Sequence, residues 1–368
     1  MSKHYDWIVV GAGVIGSISA WRLQQRLGRV ALVEADEPGG KATGAAAGIL
    51  SPSAEAVDAG PFTTLLQASR KRYPAMVEEL QDAVGMDVGY HPSGVVQIAA
   101  APDEVSTLRK RLAWLDGVTW MDESDARPFG GLAAIYAAQE GQVHPPLLVK
   151  AAVKAGIAAG VEPYFGQPAR LLLEHGRAVG VSLPSGTIYA DAGLIVAAGA
   201  WSSIVTAHWS APIPVEPIRG QIVSFATDRP LMPHIVFHGH QYLVPKRDGR
   251  LIVGATEDRA GFDARVTASG MVHLAQVVEG FNLSRDRLYL ERVWAGLRPK
   301  TPDGLPILGP WPGLAGLYVA TGHYRNGVLL SAVTADAVLA WAQGEPLPLD
   351  LAPFRPERLL AVRSADNG

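Results

Sequence analysis

The chain has 368 residues, of which 48% are hydrophobic and 18% are charged. This length can form one large domain or two medium-sized domains with substantial cores. The net charge of -3 gives no electrostatic reason to expect a nucleic-acid or anionic-membrane partner. The chain contains no cysteine, which excludes disulfides, thiolate metal sites and a redox-active dithiol.

The N-terminal motif predicts a nucleotide site. An apolar strand at residues 6–10 enters Gly11-Ala12-Gly13-Val14-Ile15-Gly16, and a helix-compatible stretch continues to about residue 27. A second apolar strand, residues 30–33, ends in Glu34, which is expected to accept from ribose hydroxyls. Strand, Gly-x-Gly-x-x-Gly turn, helix, strand and acid together form the βαβ fingerprint for the adenosine diphosphate half of FAD or NAD.

Each glycine of this turn has an expected role. Gly11 permits the tight turn, Gly13 lets the backbone approach the pyrophosphate, and Gly16 lets the helix pack closely on the strand. The pyrophosphate is expected at the unpaired N–H groups of the helix start, where Val14 and Ile15 lie.

The chain reaches this strand almost at once, so we expect no cleavable signal. No stretch approaches the roughly 18–20 uninterrupted apolar residues of a membrane span. We therefore expect no membrane span and take the cytoplasm as the default location.

A run of small residues, 42–50, follows a turn at residues 37–40. Such a run can be a helix packed tightly on a neighbour, or a surface that lets a flat ring system approach the backbone. Because it follows a nucleotide fingerprint and precedes Pro52, we favour a cofactor surface. Its expected contact residues are Thr43, Gly44, Ala46, Ala47 and Gly48.

The middle of the chain alternates between helical and strand patterns. Helices are predicted at residues 65–84, from 102 to near 116, and at 147–159, and strands at 94–99, 178–181 and 187–189. An apolar run from residue 193 enters a small-residue turn containing Ala198, Gly199 and Trp201. This run predicts a buried parallel strand that returns to the cofactor sheet.

After three prolines at 212, 214 and 217 the pattern changes to short strands, at residues 221–225, 241–244 and 250–254, with one helix near 271–281. The last part predicts strands near 305–309 and 316–322 and a helix from about 326 to 341. We therefore predict an α/β chain in which a Rossmann-like domain that binds FAD or NAD carries a mostly antiparallel, α+β second domain. The nucleotide-binding domain, which the resemblance described below makes an FAD-binding domain, comprises residues 1–84, 141–215 and 298–368, and the second, substrate-binding domain comprises 85–140 and 216–297.

Four side chains are candidates for chemistry, each with a structural alternative. Arg298 lies in a predicted turn-rich connection, residues 295–304. It has a planar fork that suits a carboxylate, yet it could form a structural ion pair. Tyr242 could line a pocket or pack in a half-buried strand, and His240 could be a surface histidine. Arg325 lies in a second strand-turn-helix, residues 322–330, whose helix start could stabilise negative charge on a reduced ring. We predict no metal, because no histidines have ligand spacing with carboxylate support.

Several motifs together resemble the FAD-dependent amine oxidase family of D-amino acid oxidases, sarcosine oxidases and glycine oxidases, and most closely its glycine oxidase branch of thiamine biosynthesis. The motifs are the fingerprint through Glu34, Ala45-Ala46-Ala47-Gly48, Val143-His144-Pro145, Gly220-Gln221, His240-Gln241-Tyr242-Leu243-Val244-Pro245, Val253-Gly254-Ala255-Thr256, Gly296-Leu297-Arg298-Pro299 and Gly322-His323-Tyr324-Arg325-Asn326-Gly327. They extend over nearly the whole chain.

The resemblance implies noncovalent FAD, a small amino acid substrate bound by Arg298 and Tyr242, and Arg325 and His240 as further site residues. It implies hydride transfer from glycine, sarcosine or small D-amino acids to flavin N5, with O2 reduced to hydrogen peroxide, and a homo-oligomer, by family a tetramer. The tail residues that would face the flavin are His323, Arg325, Asn326, Gly327, Val328 and Leu329, and Arg298 is also expected to contact it.

Two alternatives stay open at this stage. One is a dehydrogenase of the same fold that oxidises a D-amino acid or another amine and passes electrons to a quinone or carrier. The other is a flavin-binding subunit without its own turnover.

Overall fold

The computed structural model describes residues 3–209, 212–229, 231–346 and 349–360. Numbered along the chain, the strands are β1 Lys3–Val10, β2 Val30–Val33, β3 Ile49–Leu50, β4 Val95–Ala99, β5 Thr119–Met121, β6 Ala133–Ala137, β7 Gly141–Gln142, β8 Glu162–Tyr164, β9 Arg170–Glu174, β10 Arg177–Leu183, β11 Gly186–Val196, β12 Glu216–Ala226, β13 Ile235–His238, β14 Gln241–Pro245, β15 Arg250–Gly254, β16 Tyr289–Lys300, β17 Ile307–Pro310 and β18 Leu317–Thr321. The helices are α1 Val14–Leu27, α2 Ala42–Ala45, α3 Pro52–Glu55, α4 Pro61–Val84, α5 Pro102–Arg111, α6 Glu123–Ala126, α7 Pro145–Ala159, α8 Ser202–Val205, α9 Ala268–Gly280 and α10 Gly327–Gln343.

The first sheet has a parallel centre. Its main order is β17-β18-β11-β1-β2-β8, and β18, β11, β1, β2 and β8 run parallel to their neighbours in this order. A meander of β9 and β10 extends from β11. Ile8, Val9 and Val10 are buried without alternation, as expected for a strand covered on both faces. One face carries α1, which packs against α7 and α10.

The second sheet is mostly antiparallel, in the order β16-β12-β15-β14-β13-β4-β6-β5. Only the pair of β13 and β4 is parallel among the pairs that the structure describes in this sheet. Helix α9 covers one face, where Leu274, Val277 and Phe281 pack on Val223 and Val253 of the strands. The predicted fold class, a Rossmann-like sheet with a second antiparallel sheet, is confirmed.

Most predicted elements are present, with shifted ends. Helices α4 and α7 begin earlier than predicted, at Pro61 and Pro145, because proline suits the first helical position. Helix α5 ends at Arg111 rather than near residue 116. The two predicted strands near 187 and 193 are one strand, β11, which pairs with β10 in its first half and with β18 in its second.

One prediction about the region around Arg298 was wrong. Residues 295–304 read as a turn-rich connection, but 295–300 belong to β16, and Leu297, Arg298 and Lys300 pair with β12. Pairing with a long neighbouring strand overrides the local glycine and proline signal. The proposed domain boundary at 297/298 therefore falls within a strand. The proposed outer limits, residues 1 and 368, lie outside the described residues.

Candidate active site

A cavity of about 700 Å³ lies between the two sheets. From the first sheet it is lined at the carboxyl ends of strands, by Val10, Val33 and Thr321 among others. From the second sheet it is lined by Gly220 and Tyr242. Ligands of open parallel sheets bind at the carboxyl ends of strands, and here the second sheet closes that edge.

The glycine turn forms one end of the cavity. Gly11 has φ of +106°, and a Cβ there would collide with the carbonyl oxygen of Ala197. A Cβ at Gly16 would collide with the carbonyl of Gly11, so this glycine lets α1 pack on the turn. The carboxylate of Glu34 accepts from the backbone N–H of Ala12 at 2.8 Å. Glu34 is thereby held beside the turn at the end of β2.

The small-residue segment forms a side wall. Thr43 Oγ1 accepts from the N–H of Val14 at 3.2 Å, which ties the segment to the start of α1. Trp294 Nε1 donates to the carbonyl of Ala45 at 3.1 Å. A Cβ at Gly296 would come within 2.5 Å of the Ala45 Cβ. The wall therefore lies directly against β16 of the second sheet.

Arg298 projects from β16 into the other end of the cavity. Its guanidinium lies over Gly220 of β12, where a Cβ would occupy the same space. Nη1 donates to the carbonyl oxygen of Thr256 at 3.0 Å. Among the described residues Arg298 forms no ion pair with an acid, so the structural alternative weighed above, an ion pair with a neighbouring acid, is not what the fold shows.

Tyr242 lies beside Arg298 on the same sheet. It pairs in register with Gly254 of β15, and a Cβ at Gly254 would come within 2.5 Å of the tyrosine ring. Burial raises the pKa of Tyr242, although the Arg298 and Arg325 guanidiniums act to lower it. The hydroxyl is therefore protonated at neutral pH and can donate to an anion.

Arg325 comes from the tail and is neutralised in part by the protein itself. Its Nη2 lies 3.2 Å from Glu55 Oε1, with the two side chains only 15% and 17% exposed. Its Nη1 lies 2.9 Å from Nδ1 of His240. Burial lowers the pKa of Arg325, but Glu55 and the nearby tyrosines and Glu257 raise it overall. Arg325 thus stays charged and is held in place by Glu55 and His240.

Sequence reasoning did not find Glu55. It ends the short helix α3, which begins at Pro52 after a Ser51 cap, and Asn326 Nδ2 donates to it at 3.4 Å. No local pattern separates this glutamate from other acids of the chain. Its role depends on a contact across 270 positions of sequence.

The loop before α10 is docked on the end of β16. The N–H of Tyr324 donates to the carbonyl of Pro299 at 2.9 Å. The backbone of His323 forms an isolated antiparallel β-bridge with Lys300. The His323 ring is buried with Nε2 at 3.0 Å from Thr334 Oγ1, and burial lowers its pKa to about 3. This docking brings Arg325 to the same end of the cavity as Arg298.

The match to known proteins decides the family. The family model described as DAO, FAD dependent oxidoreductase, matches residues 6–341 of the chain. The chain belongs to this family of FAD-dependent oxidoreductases. The resemblance inferred from the motifs is confirmed.

Relatives at the level of sequence are named glycine oxidases. The glycine oxidase of Geobacillus kaustophilus is 33% identical, over 96% of this chain and 97% of that protein. The glycine oxidase of Bacillus subtilis is 30% identical, over 99% of this chain and 100% of that protein. The crystal structure of the Geobacillus kaustophilus enzyme superposes with a TM-score of 0.91 at 32% identity and covers 96% of this chain and 98% of that one.

The cavity fits the cofactor that this FAD-dependent oxidoreductase requires. Helices α1 and α10 both begin at the cavity without a cap from the residue that precedes the helix and without an acid in the first turn. At α1, the N–H of Val14 is bonded to Thr43 Oγ1. By contrast, α7 and α9 are capped by His144 and Thr267. Uncapped helix starts offer N–H groups and a positive dipole end to anionic groups. The predicted FAD cofactor is confirmed, and its placement in this cavity is our proposal.

Most of the residues predicted to contact FAD line this cavity. They are Gly11, Gly13, Val14, Ile15, Glu34, Thr43, Ala46, Ala47, Gly48, Ala198, Gly199, Trp201, Arg298, His323, Arg325, Asn326, Gly327 and Val328.

Three predicted contacts and one predicted site residue do not line the cavity. Gly16 packs on the turn, and a Cβ at Gly44 would face the carbonyl of Gly39. Leu329 is buried in the core of α10, and its carbonyl accepts from Ser69. His240 is exposed and reaches the site only through Arg325.

Two further features concern the described residues alone. Within them, no helix is long and apolar enough to cross a membrane. Nor do they contain a group of three or more histidines and acids arranged to hold a metal ion.

Proposed function

We propose that this chain is an FAD-dependent oxidase of glycine that also accepts sarcosine and small D-amino acids. The observation that carries the proposal is Arg298, an arginine on the cavity wall without an acidic partner among the described residues. A structural arginine in a protein interior is normally paired, so an unpaired one at this position suits an anionic ligand. The glycine oxidases that align with nearly the whole chain support the identity of that ligand.

Arg298 and Tyr242 would hold the substrate carboxylate. The planar guanidinium can donate two parallel N–H bonds to a carboxylate. The protonated Tyr242 hydroxyl, beside it on the sheet, can donate a further one. Arg325 adds a positive charge that Glu55 partly balances. The positive charge of Arg298, which no acid balances among the described residues, can therefore be matched by one substrate carboxylate.

Fixing the carboxylate also fixes the Cα–H bond. When bound, FAD would supply a hydride acceptor for the substrate and a route for the two electrons to O2. The substrate loses a hydride from Cα and a proton from nitrogen, and the resulting imine is hydrolysed to the 2-oxo acid. The protein contributes positioning and charge rather than a base. The nearby histidines fit this scheme, because His240 contacts Arg325 and His323 is buried against Thr334.

The test is anaerobic mixing of the purified holoprotein with glycine, sarcosine or D-alanine while the flavin absorption band is followed. We expect glycine to bleach the band, and air to restore it with release of hydrogen peroxide. Bleaching that air does not reverse, but an electron-accepting dye does, would indicate the dehydrogenase alternative. A yellow protein that no amine bleaches would contradict the proposal and leave the flavin-binding subunit.

The pathway and the assembly belong to the same proposal. A bifunctional protein ThiO/ThiG of Synechocystis is 32% identical over 98% of this chain, which spans 55% of that protein. This similarity supports a role in the thiazole branch of thiamine biosynthesis. The homo-tetramer and the cytoplasmic location predicted from the sequence stay predictions.

A further inference from the structure

A buried lysine stands behind the wall of the cavity. Lys246 follows β14, and its Nζ donates to the carbonyl of Ala47 and to Oε1 of Gln142, both at 2.7 Å. Gln142 in turn donates through Nε2 to the carbonyl of Pro245 at 2.7 Å. The network joins three segments that are distant in sequence: the small-residue wall, β7 and the end of β14. Lys246 therefore fixes the position of the wall.

The charge of Lys246 is not neutralised by this network. Both of its acceptors are neutral oxygens, and among the described residues it forms no ion pair within 4 Å. The Asp248 carboxylate acts to raise the pKa of Lys246, but it forms its ion pair with Arg250. Burial, with the nearby Arg250, lowers the pKa of Lys246 to about 7. Burial also lowers the pKa of His144, and the charge of Lys246 acts in the same direction. Keeping an ammonium group here is costly.

The wall segment that Lys246 holds faces the end of the cavity that contains Arg298, away from the glycine turn, where our proposed placement of FAD puts the ring system. Ala47 lines the cavity and packs in the same apolar cluster as Tyr242 and Ile222, which lie at the Arg298 end. A neutral donor would fix the Ala47 carbonyl equally well. A positive charge is useful only if a negative group binds on the other side of the wall. The reduced form of a flavin ring carries such a charge, and charges near the ring adjust its potential.

We propose that Lys246 is a positioning residue for the cofactor, whose ammonium group holds the Ala47 wall and raises the reduction potential of the bound flavin. A positive charge favours the more negative, reduced form, so its removal lowers the potential. The proposal rests on FAD binding and not on the proposed substrate.

The experiment measures the midpoint potential of the holoprotein at pH 6, below the pKa of Lys246 of about 7, so that the ammonium group is charged. The measurement is a reductive titration against a reference dye, without any amino acid. Failure of glycine to react would therefore leave this measurement intact. The variants are Lys246→Met, which removes the charge, and Lys246→Arg, which keeps it. Lys110→Met, an exposed position on α5, controls for the loss of one charge from the chain.

We expect Lys246→Met to lower the ratio of affinities for reduced and oxidised FAD about tenfold, which is about 30 mV for a two-electron couple. Lys246→Arg and Lys110→Met should keep the wild-type potential. An unchanged potential in Lys246→Met, even with weaker binding of oxidised FAD, would overturn the proposal, as would an equal fall in Lys246→Arg. If Lys246→Met does not retain FAD, Lys246→Gln replaces it. If neither does, the affinities of the Lys246→Met apoprotein for oxidised and for reduced FAD are titrated separately: a ratio about tenfold lower than in the wild type supports the proposal, and an unchanged ratio overturns it.

Discussion

The guanidinium of Arg298 lies over Gly220, in the space that a Cβ at position 220 would occupy. The two residues are on neighbouring strands, β16 and β12, and Gly220 itself pairs with Gly296. The absence of side chains at these positions gives the sheet a flat surface on which the planar group rests. Gly220 is therefore part of the carboxylate site, although it has no functional group.

Replacing Gly220 with alanine should displace the guanidinium without removing it. A misplacement of about 1 Å at a substrate-positioning group can cost up to about a hundredfold in rate, so we expect kcat/KM for glycine to fall by tenfold or more. Gly280→Ala is the matched control, because a Cβ there meets no atom within 4 Å. Steady-state kinetics of both variants check this, and equal activity of the two would contradict the role of Gly220.

Replacing Arg298 with lysine should weaken substrate binding more directly. Lysine keeps the charge but loses the two-pronged contact, which should cost on the order of 1.5–3 kcal/mol, or about ten- to a hundredfold in kcat/KM for glycine. The flavin content of the variant serves as the control for folding. Unchanged turnover of glycine by Arg298→Lys would show that this residue does not bind the carboxylate.

Replacing Gly11 with alanine should abolish FAD binding. Its Cβ would collide with the Ala197 carbonyl, and φ of +106° is unfavourable for alanine. Gly186→Ala separates the two effects, because Gly186 has φ of +127° but no atom within 4 Å of the added Cβ. We expect visible flavin absorption in purified Gly186→Ala and none in Gly11→Ala. Full flavin occupancy in Gly11→Ala would contradict the assignment of the turn.

The buried His323 should make stability depend on pH. Its folded pKa of about 3 lies below the ordinary histidine value of about 6.5, so the unfolded chain binds a proton that the folded chain does not. The contribution of the neutral His323 ring to the free energy of unfolding is complete above about pH 6.5. It is lost as pH falls towards 3, by about 1 kcal/mol per pH unit below pH 6. Urea unfolding at pH 7 and pH 5 measures it. His323→Asn should lose less stability between these values than the wild type, whereas the exposed His175→Asn should lose as much; identical losses in His323→Asn and the wild type would refute this account.

Local patterns were sufficient for the nucleotide half of the protein. Strand β1, the glycine turn, α1 and Glu34 all lie within one short segment, residues 3–34, and the contact of Glu34 with the N–H of Ala12 spans only 22 positions. The same is true of the start of α10, where the strand β18 leads into the turn and helix. These elements could be predicted because period, turn chemistry and burial all agree locally.

The substrate end was different, because its residues are brought together by strand pairing between distant segments. Arg298 was a candidate because of its residue type. Its place in a strand and the packing of its guanidinium on Gly220 depend on β12, in which Ile218, some 80 positions earlier, pairs with Arg298. The contact of Glu55 with Arg325 and that of Lys246 with Ala47 carry no local signal at all. The sequence by itself determined the βαβ unit, since its elements follow one another within residues 3–34, whereas the rest of the cavity wall, including the contact of Gly11 with Ala197, depends on distant segments. Only the tertiary structure decided which charges are paired and which are free, since that depends on long-range packing.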